Sequence, residues 1–125
     1  MKLRLQTNSL RLRLKRGEVA RLVADGCVEE VITFAPGQTL HYRIQTSRVA
    51  PGLAAIFAAG EIDVAVPEKM AEQWAAGNEV GMEASQAVDE DSTLQILIEK
   101  DFACLTGTDA QNVDTFPNPL AGTSC

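Results

Sequence analysis

Between Lys2 and Leu14, leucine and base alternate on both sides of a short polar turn: Lys2-Leu3-Arg4-Leu5, then Gln6-Thr7-Asn8-Ser9, then Leu10-Arg11-Leu12-Arg13-Leu14. Successive side chains of a strand point to opposite faces, so alternation at period two specifies half-buried strands rather than a helix. Two such runs joined by a turn predict a hairpin. A two-residue Thr7-Asn8 loop sets Leu5 opposite Leu10, Arg4 opposite Arg11, Leu3 opposite Leu12 and Lys2 opposite Arg13. Any even-length loop keeps this sorting, whereas an odd one would bring leucine opposite arginine, so the register is well specified. The face made by Leu3, Leu5, Leu10, Leu12 and Leu14 belongs to the core.

Past Lys15-Arg16-Gly17 the period changes. Val19, Leu22 and Val23 at i, i+3 and i+4 predict a short amphipathic helix over Glu18–Asp25. Gly17 serves as its N-cap, Glu18 sits on the positive end of its dipole, and Gly26 is the left-handed residue that closes it. Cys27–Phe34 reads as a strand with Val28, Ile32 and Phe34 on one face. The Pro36-Gly37 turn then leads into Thr39–Thr46, where Leu40, Tyr42 and Ile44 alternate with His41, Arg43 and Gln45. Beyond a loop over Ser47–Gly52, Leu53–Ala59 and Glu61–Val66 flank Gly60 as a third hairpin.

Pro67 opens a second helix, Glu68–Ala76, with Met70 and Trp74 stacked at i, i+4 as core anchors before Gly77. Glu79–Val88 and Thr93–Asp101 form a last hairpin around Asp89-Glu90-Asp91, with Leu94, Ile96 and Ile98 inward and Gln95, Leu97, Glu99 and Asp101 outward. From Phe102 onward periodicity stops. The order is ββ-α-ββ-ββ-α-ββ with no internal repeat. It defines an α+β domain: a mostly antiparallel sheet of about eight strands, strongly bent or barrel-like, with two short helices. The domain spans 1–105, and 106–125 is an extended or flexible C-terminal tail.

Length and charge set the class. The 125 residues make one domain with an aliphatic core, since 46% are hydrophobic and only 5% aromatic. A net charge of −6 opposes non-specific attraction to nucleic acid or anionic lipid, and no aromatic interleaves with the arginines to stack bases. No run reaches the roughly 18 apolar residues of a membrane helix. The alternating N-terminus stands where a signal peptide would be continuously apolar, which points to the cytoplasm. Cys27, Cys104 and Cys125 lie far apart, without CxxC or zinc spacing, and read as buried or incidental thiols. No cofactor or metal is expected.

Four cations on one hairpin face need an offset, because like charges directly opposite cost up to about 1 kcal/mol per pair. The simplest offset is solvent plus the strand carboxylates Glu29, Glu30, Glu99 and Asp101. The sharper reading turns the charged face inward, so that Arg4, Arg11, Arg13 and Arg43 cradle an anion through bidentate guanidinium contacts, with Glu29, Glu99 and Asp101 as acidic partners. His41 lies on a polar strand face with no nucleophile placed beside it and reads as a surface residue. Asp89-Glu90-Asp91 lacks the ligand spacing of a calcium loop and reads as a solvated turn. No glycine-rich phosphate loop, HExxH or GxSxG pattern occurs, so no catalytic residue is assigned.

The motifs Asn8-Ser9-Leu10-Arg11-Leu12-Arg13-Leu14, Val28-Glu29-Glu30, Val66-Pro67 with Trp74, Ile98 through Leu105, and Phe116-Pro117-Asn118-Pro119 together span nearly the whole chain. The combination resembles a family of short bacterial proteins classed as a domain of unknown function. The resemblance carries no activity with it; it draws attention to Asn8, Arg11, Arg13, Glu99, Lys100, Asp101 and Phe116–Pro119. It is also compatible with a tail that lies across the sheet, burying Phe116 and pairing Asp109 and Asp114 with the arginines.

Two function classes follow. The first is a small non-enzymatic cytoplasmic domain that binds a protein or a small anion, with no nucleic-acid or membrane partner. The alternative is an enzyme on a phosphorylated or other anionic small molecule, held in an Arg/Glu-lined cavity. Arginines opening to water favour the first, and an enclosed cavity lined by both signs of charge favours the second.

Overall fold

The N-terminal alternation forms the hairpin it predicts. Strands β1 (Lys2–Gln6) and β2 (Ser9–Leu14) pair with Lys2 opposite Arg13, Leu3 opposite Leu12, Arg4 opposite Arg11 and Leu5 opposite Leu10. The connection is the two-residue Thr7-Asn8, and Asn8 takes φ 47, a left-handed conformation that asparagine tolerates better than most residues. These positions come from a computed structural model of the chain, which describes residues 1–102 and residue 116. The tail over 106–125 except Phe116, with Asp109, Asp114 and Pro117–Pro119, lies outside the described residues, as do Cys104 and Cys125.

The chain continues through α1 (Arg16–Asp25), β3 (Cys27–Ala35), β4 (Gln38–Ser47), β5 (Ala54–Ala58), β6 (Glu61–Pro67), α2 (Glu68–Ala76), β7 (Gly81–Ala87) and β8 (Thr93–Lys100). The α+β order is the predicted one. The strands form two four-stranded sheets, β1-β2-β8-β7 and β3-β4-β6-β5, and these do not close into a barrel. Each sheet joins two antiparallel hairpins through a central parallel pair, β2 with β8 and β4 with β6. The parallel pairs connect strands remote in sequence, which short-loop reasoning does not reach.

The connectivity β1-β2-α1-β3-β4 recurs as β5-β6-α2-β7-β8, and each sheet takes the first hairpin of one half and the second hairpin of the other. Burial follows the same repeat. Leu10, Leu12 and Leu14 correspond to Ile62, Val64 and Val66, and Val19 and Leu22 to Ala71 and Trp74, all of them buried. The repeat is absent from residue identities because a core position requires only an apolar side chain of suitable volume.

The inner faces contribute Leu10, Leu12, Leu14, Ile96 and Ile98 from one sheet and Tyr42, Ile44, Ile62, Val64 and Val66 from the other. The helices pack on each other where β2 and β6 end. At the opposite end the sheets part into an apolar cleft of about 350 Å³ lined by residues that include Leu5, Leu10, Leu40, Phe57, Ile62 and Leu94.

Side chains bridge the sheet edges. Gln86 on β7 donates to the Ala55 carbonyl (2.8 Å) and accepts from the Ala55 amide (2.7 Å) on β5. Across the other seam the Met1 ammonium pairs with buried Glu18 and with Glu30, while the Tyr42 hydroxyl donates to the Met1 carbonyl. Neither helix is long and apolar enough to cross a membrane.

Several local expectations are corrected. Lys15, not Gly17, is the N-cap of α1, and its amide donates to Glu18 Oε1 at 2.8 Å; Gly26 closes the helix at φ 80 as expected. In α2 the buried stripe is Ala71 and Trp74, and Met70 is 37% exposed, because a nine-residue helix buries a narrow i, i+3 stripe and leaves Met70 at its margin. Ile32 and Phe34 are exposed, Phe34 at 73%, although Val28 is buried. The register shifts between Thr33 and Ala35, and nine-residue β3 outruns five-residue β1 across the seam.

A candidate anion-binding face

Leu10, Leu12 and Leu14 of β2 are buried and Leu3 packs against them, whereas Leu5, expected in the core, is 58% exposed because it stands at the lip of the apolar cleft; the intervening bases line the outer face of the sheet. Arg4 stands opposite Arg11 and Lys2 opposite Arg13, a two-by-two grid of cations. Parallel β8 brings Glu99 beside Arg13 and Leu97 beside Arg11, and β7 adds Glu83 next to Leu97. Arg11 Nε lies 3.1 Å and Arg13 Nε 3.5 Å from the same oxygen, Glu99 Oε1. The Arg13 contact is a hydrogen bond with Nε donating.

Each guanidinium has five N–H donors, so one carboxylate between two of them leaves a surplus of donors. Asp101, expected on the outward face, instead lies buried just past the end of β8, where its amide donates to the Leu14 carbonyl, and Lys2 pairs with its carboxylate at 3.4 Å. Arg4 is exposed and has no ion pair among the described residues.

Two depressions mark this face. The wider, about 310 Å³, is lined by Lys2, Leu3, Arg4, Arg11 and Arg13. The narrower, about 140 Å³, shares Arg4 and Arg11 and includes Gln6, Ser9, Glu83 and Gln95. The charged face therefore points outward, which corrects the reading in which the sheet curls around it.

Arg43 does not join the other arginines. Its strand pairs with β3 and β6, so Arg43 occupies the outer face of the second sheet, on the far side of the core. There Glu61 Oε1 (2.8 Å), Asp63 Oδ1 (2.9 Å) and Glu29 Oε2 (3.6 Å) surround it. Burial works against its charge, but Asp63, Glu29 and Glu61 together outweigh that and hold the guanidinium above its ordinary pKa. His41 Nδ1 lies 3.2 Å from Glu29.

Of the predicted residues, Arg4, Arg11, Arg13 and Glu99 come together, Asp101 reaches their margin through Lys2, and Glu29 belongs with Arg43. Glu30 is turned to the seam beside Met1. Sequence reasoning missed Glu61 and Asp63. Their alternation in Glu61-Ile62-Asp63-Val64 was visible, but the partner strand was not.

Elsewhere, Lys100 is buried with Nζ donating to the Gly77 carbonyl at 2.9 Å, and the ammonium lies 5.8 Å from the Trp74 ring centre and 5.4 Å from that of Phe116. Burial lowers its pKa despite the opposing charge of Glu79. Phe116 is half-buried, bonds through its amide to the Asp101 carbonyl, and packs edge-on against Phe102. Burial raises the Cys27 thiol, against the pull of Arg43. Asp89 closes its own turn, accepting from the Asp91 and Ser92 amides and the Ser92 hydroxyl, which lowers its pKa. Among the described residues no group of His, Cys, Asp and Glu side chains is placed to hold a metal.

Fold and surface together define a two-sheet α+β domain with unlike outer faces, one of them rich in unmatched arginine donors. The chain belongs to the family of unknown function DUF7009, whose model matches residues 1–120. No curated protein and no solved structure matches it.

Proposed function

We propose that the protein is a non-enzymatic cytoplasmic binding module that takes an anionic ligand on the outer face of the β1-β2-β8-β7 sheet. The reading rests on one observation: Arg4, Arg11 and Arg13 stand side by side on a solvent-facing surface, with Glu99 as the one carboxylate paired to any of the three among the described residues. In an acidic chain, such a surplus of guanidinium donors is a surface suited to phosphate or carboxylate groups. The outward direction of the arginines favours binding over turnover, because an exposed face neither excludes water nor encloses a substrate.

The test is thermal unfolding with phosphate, pyrophosphate and nucleotides, with and without magnesium. A ligand at 100 times its Kd stabilises by about 2.7 kcal/mol. Binding to this face raises the midpoint of the wild type and not that of Arg4→Ala. An unchanged midpoint with every anion would refute the proposal.

A further inference from the structure

The charges around the wider depression select among anions, an inference that rests on the anion-binding reading. Four cations line it, and the only ion-paired carboxylates behind them among the described residues are Glu99, shared by Arg11 and Arg13, and Asp101, paired with Lys2. Among the described residues two positive charges remain in excess, and Glu83, a further carboxylate on this surface, lines the narrower depression and not the wider one.

A phosphomonoester near neutral pH carries close to two negative charges on three acceptor oxygens, whereas a phosphodiester or a simple carboxylate carries one. Three neighbouring guanidiniums match the first set of acceptors and leave donors idle against the others. The adjoining hollow offers the polar side chains of Gln6, Ser9, Glu83 and Gln95 over a floor of aliphatic Leu10, Ile96 and Leu97, and no aromatic ring, which suits a small hydroxyl-bearing body rather than a stacked base.

We propose that this face binds the terminal phosphate of a small polyol-type phosphomonoester through Arg4, Arg11 and Arg13, and that Glu99 is a positioning residue that sets the two β2 guanidiniums about one point.

The sign of the pH dependence separates ligand from protein. The second pKa of a phosphomonoester is about 6, so acidification removes the second negative charge and weakens binding. Protonating Glu99, Asp101 or Glu83 would do the opposite by raising the positive excess. Weakening between pH 7.5 and pH 5 therefore reports the phosphate.

Calorimetric titration of the full chain with glycerol 3-phosphate, dimethyl phosphate and acetate tests the proposal. Glycerol 3-phosphate at pH 7.5 binds at least tenfold tighter than the other two, the margin shrinks toward pH 5, and Arg4→Ala, which removes an exposed side chain, abolishes it. Equal binding of the monoester and the diester, lost together in Arg4→Ala, would overturn the phosphomonoester assignment and leave the anion-binding reading standing. No heat with any of the three would overturn both.

Glu99→Gln raises the positive excess yet lowers the monoester-to-diester ratio at least threefold, and Glu99→Asp restores part of it. If Glu99→Gln instead tightens both ligands equally, Glu99 is a competing counter-charge and its positioning role is wrong.

Discussion

The two sheets share one plan and carry opposite surfaces. Their inner faces correspond residue for residue: Ile98 lies between Leu12 and Met82 in one, and Ile44 between Val64 and Val28 in the other. Their outer faces do not. One presents Lys2, Arg4, Arg11 and Arg13 around Glu99, and the other presents Glu29, Glu61 and Asp63 around Arg43. The second arrangement closes on itself, a cation matched on three sides, whereas the first leaves donors over. Packing constrains the inner faces to stay alike, while solvent leaves the outer ones free to diverge, so the binding reading rests where the two halves part company.

The strongest way to break the comparison is at the matched core positions. Ile98→Ala and Ile44→Ala each remove a fully buried side chain and cost about 2–5 kcal/mol by denaturant unfolding. A large loss in one and none in the other would mean that the halves do not share the load.

A smaller effect is expected at Gly81, where an added Cβ would stand 2.8 Å from the Ile98 carbonyl oxygen. The corresponding position in the other sheet is Cys27, which carries a side chain there. Gly81→Ala therefore destabilises by about 1–3 kcal/mol, measured by calorimetry; neutrality would mean that the two strand pairs have the same clearance.

The outer faces separate in a third experiment. Arg43→Ala leaves Glu29, Glu61 and Asp63 facing one another and lowers the unfolding midpoint, with added salt restoring part of the loss. Arg4→Ala changes stability by no more than about 0.5 kcal/mol. Equal losses would erase the distinction between a saturated and an unsaturated face.

The smallest effect concerns the turns. β3 and β4 turn through Gly37 at φ 73, whereas β7 and β8 turn around the carboxylate of Asp89. The pKa of Asp89 is depressed, so its contribution is present above the ordinary aspartate range and is lost as pH falls through the folded value. Asp89→Asn consequently narrows the stability difference between pH 7 and pH 3, and an unchanged difference would assign the turn to its backbone alone.

The hairpin register was legible because parity leaves no choice once leucine and base alternate around an even loop. The positions of both helices followed from period and punctuation. The parallel pairs were not legible, since alternation reads the same whichever way the neighbouring strand runs, and this gap explains the misplaced partners of the charged residues. Nothing in the sequence of β4 says that β6 lies beside it, so from the sequence Arg43 reads as a companion of Arg4, Arg11 and Arg13. The company of Glu99 with Arg11 and Arg13 depended on the same kind of pairing, and the even exchange of buried for exposed residues along each strand carries no address for the partner.

The exchange of hairpins between the halves also bears on how the chain becomes a protein. Arg13 and Glu99, on the central strands of one sheet, are 86 positions apart, and closing so long a loop precedes the contacts that reward it. The parallel pair of the other sheet likewise joins strands from different halves, so each sheet is completed only by a hairpin from the other half, and neither half holds a whole sheet of its own.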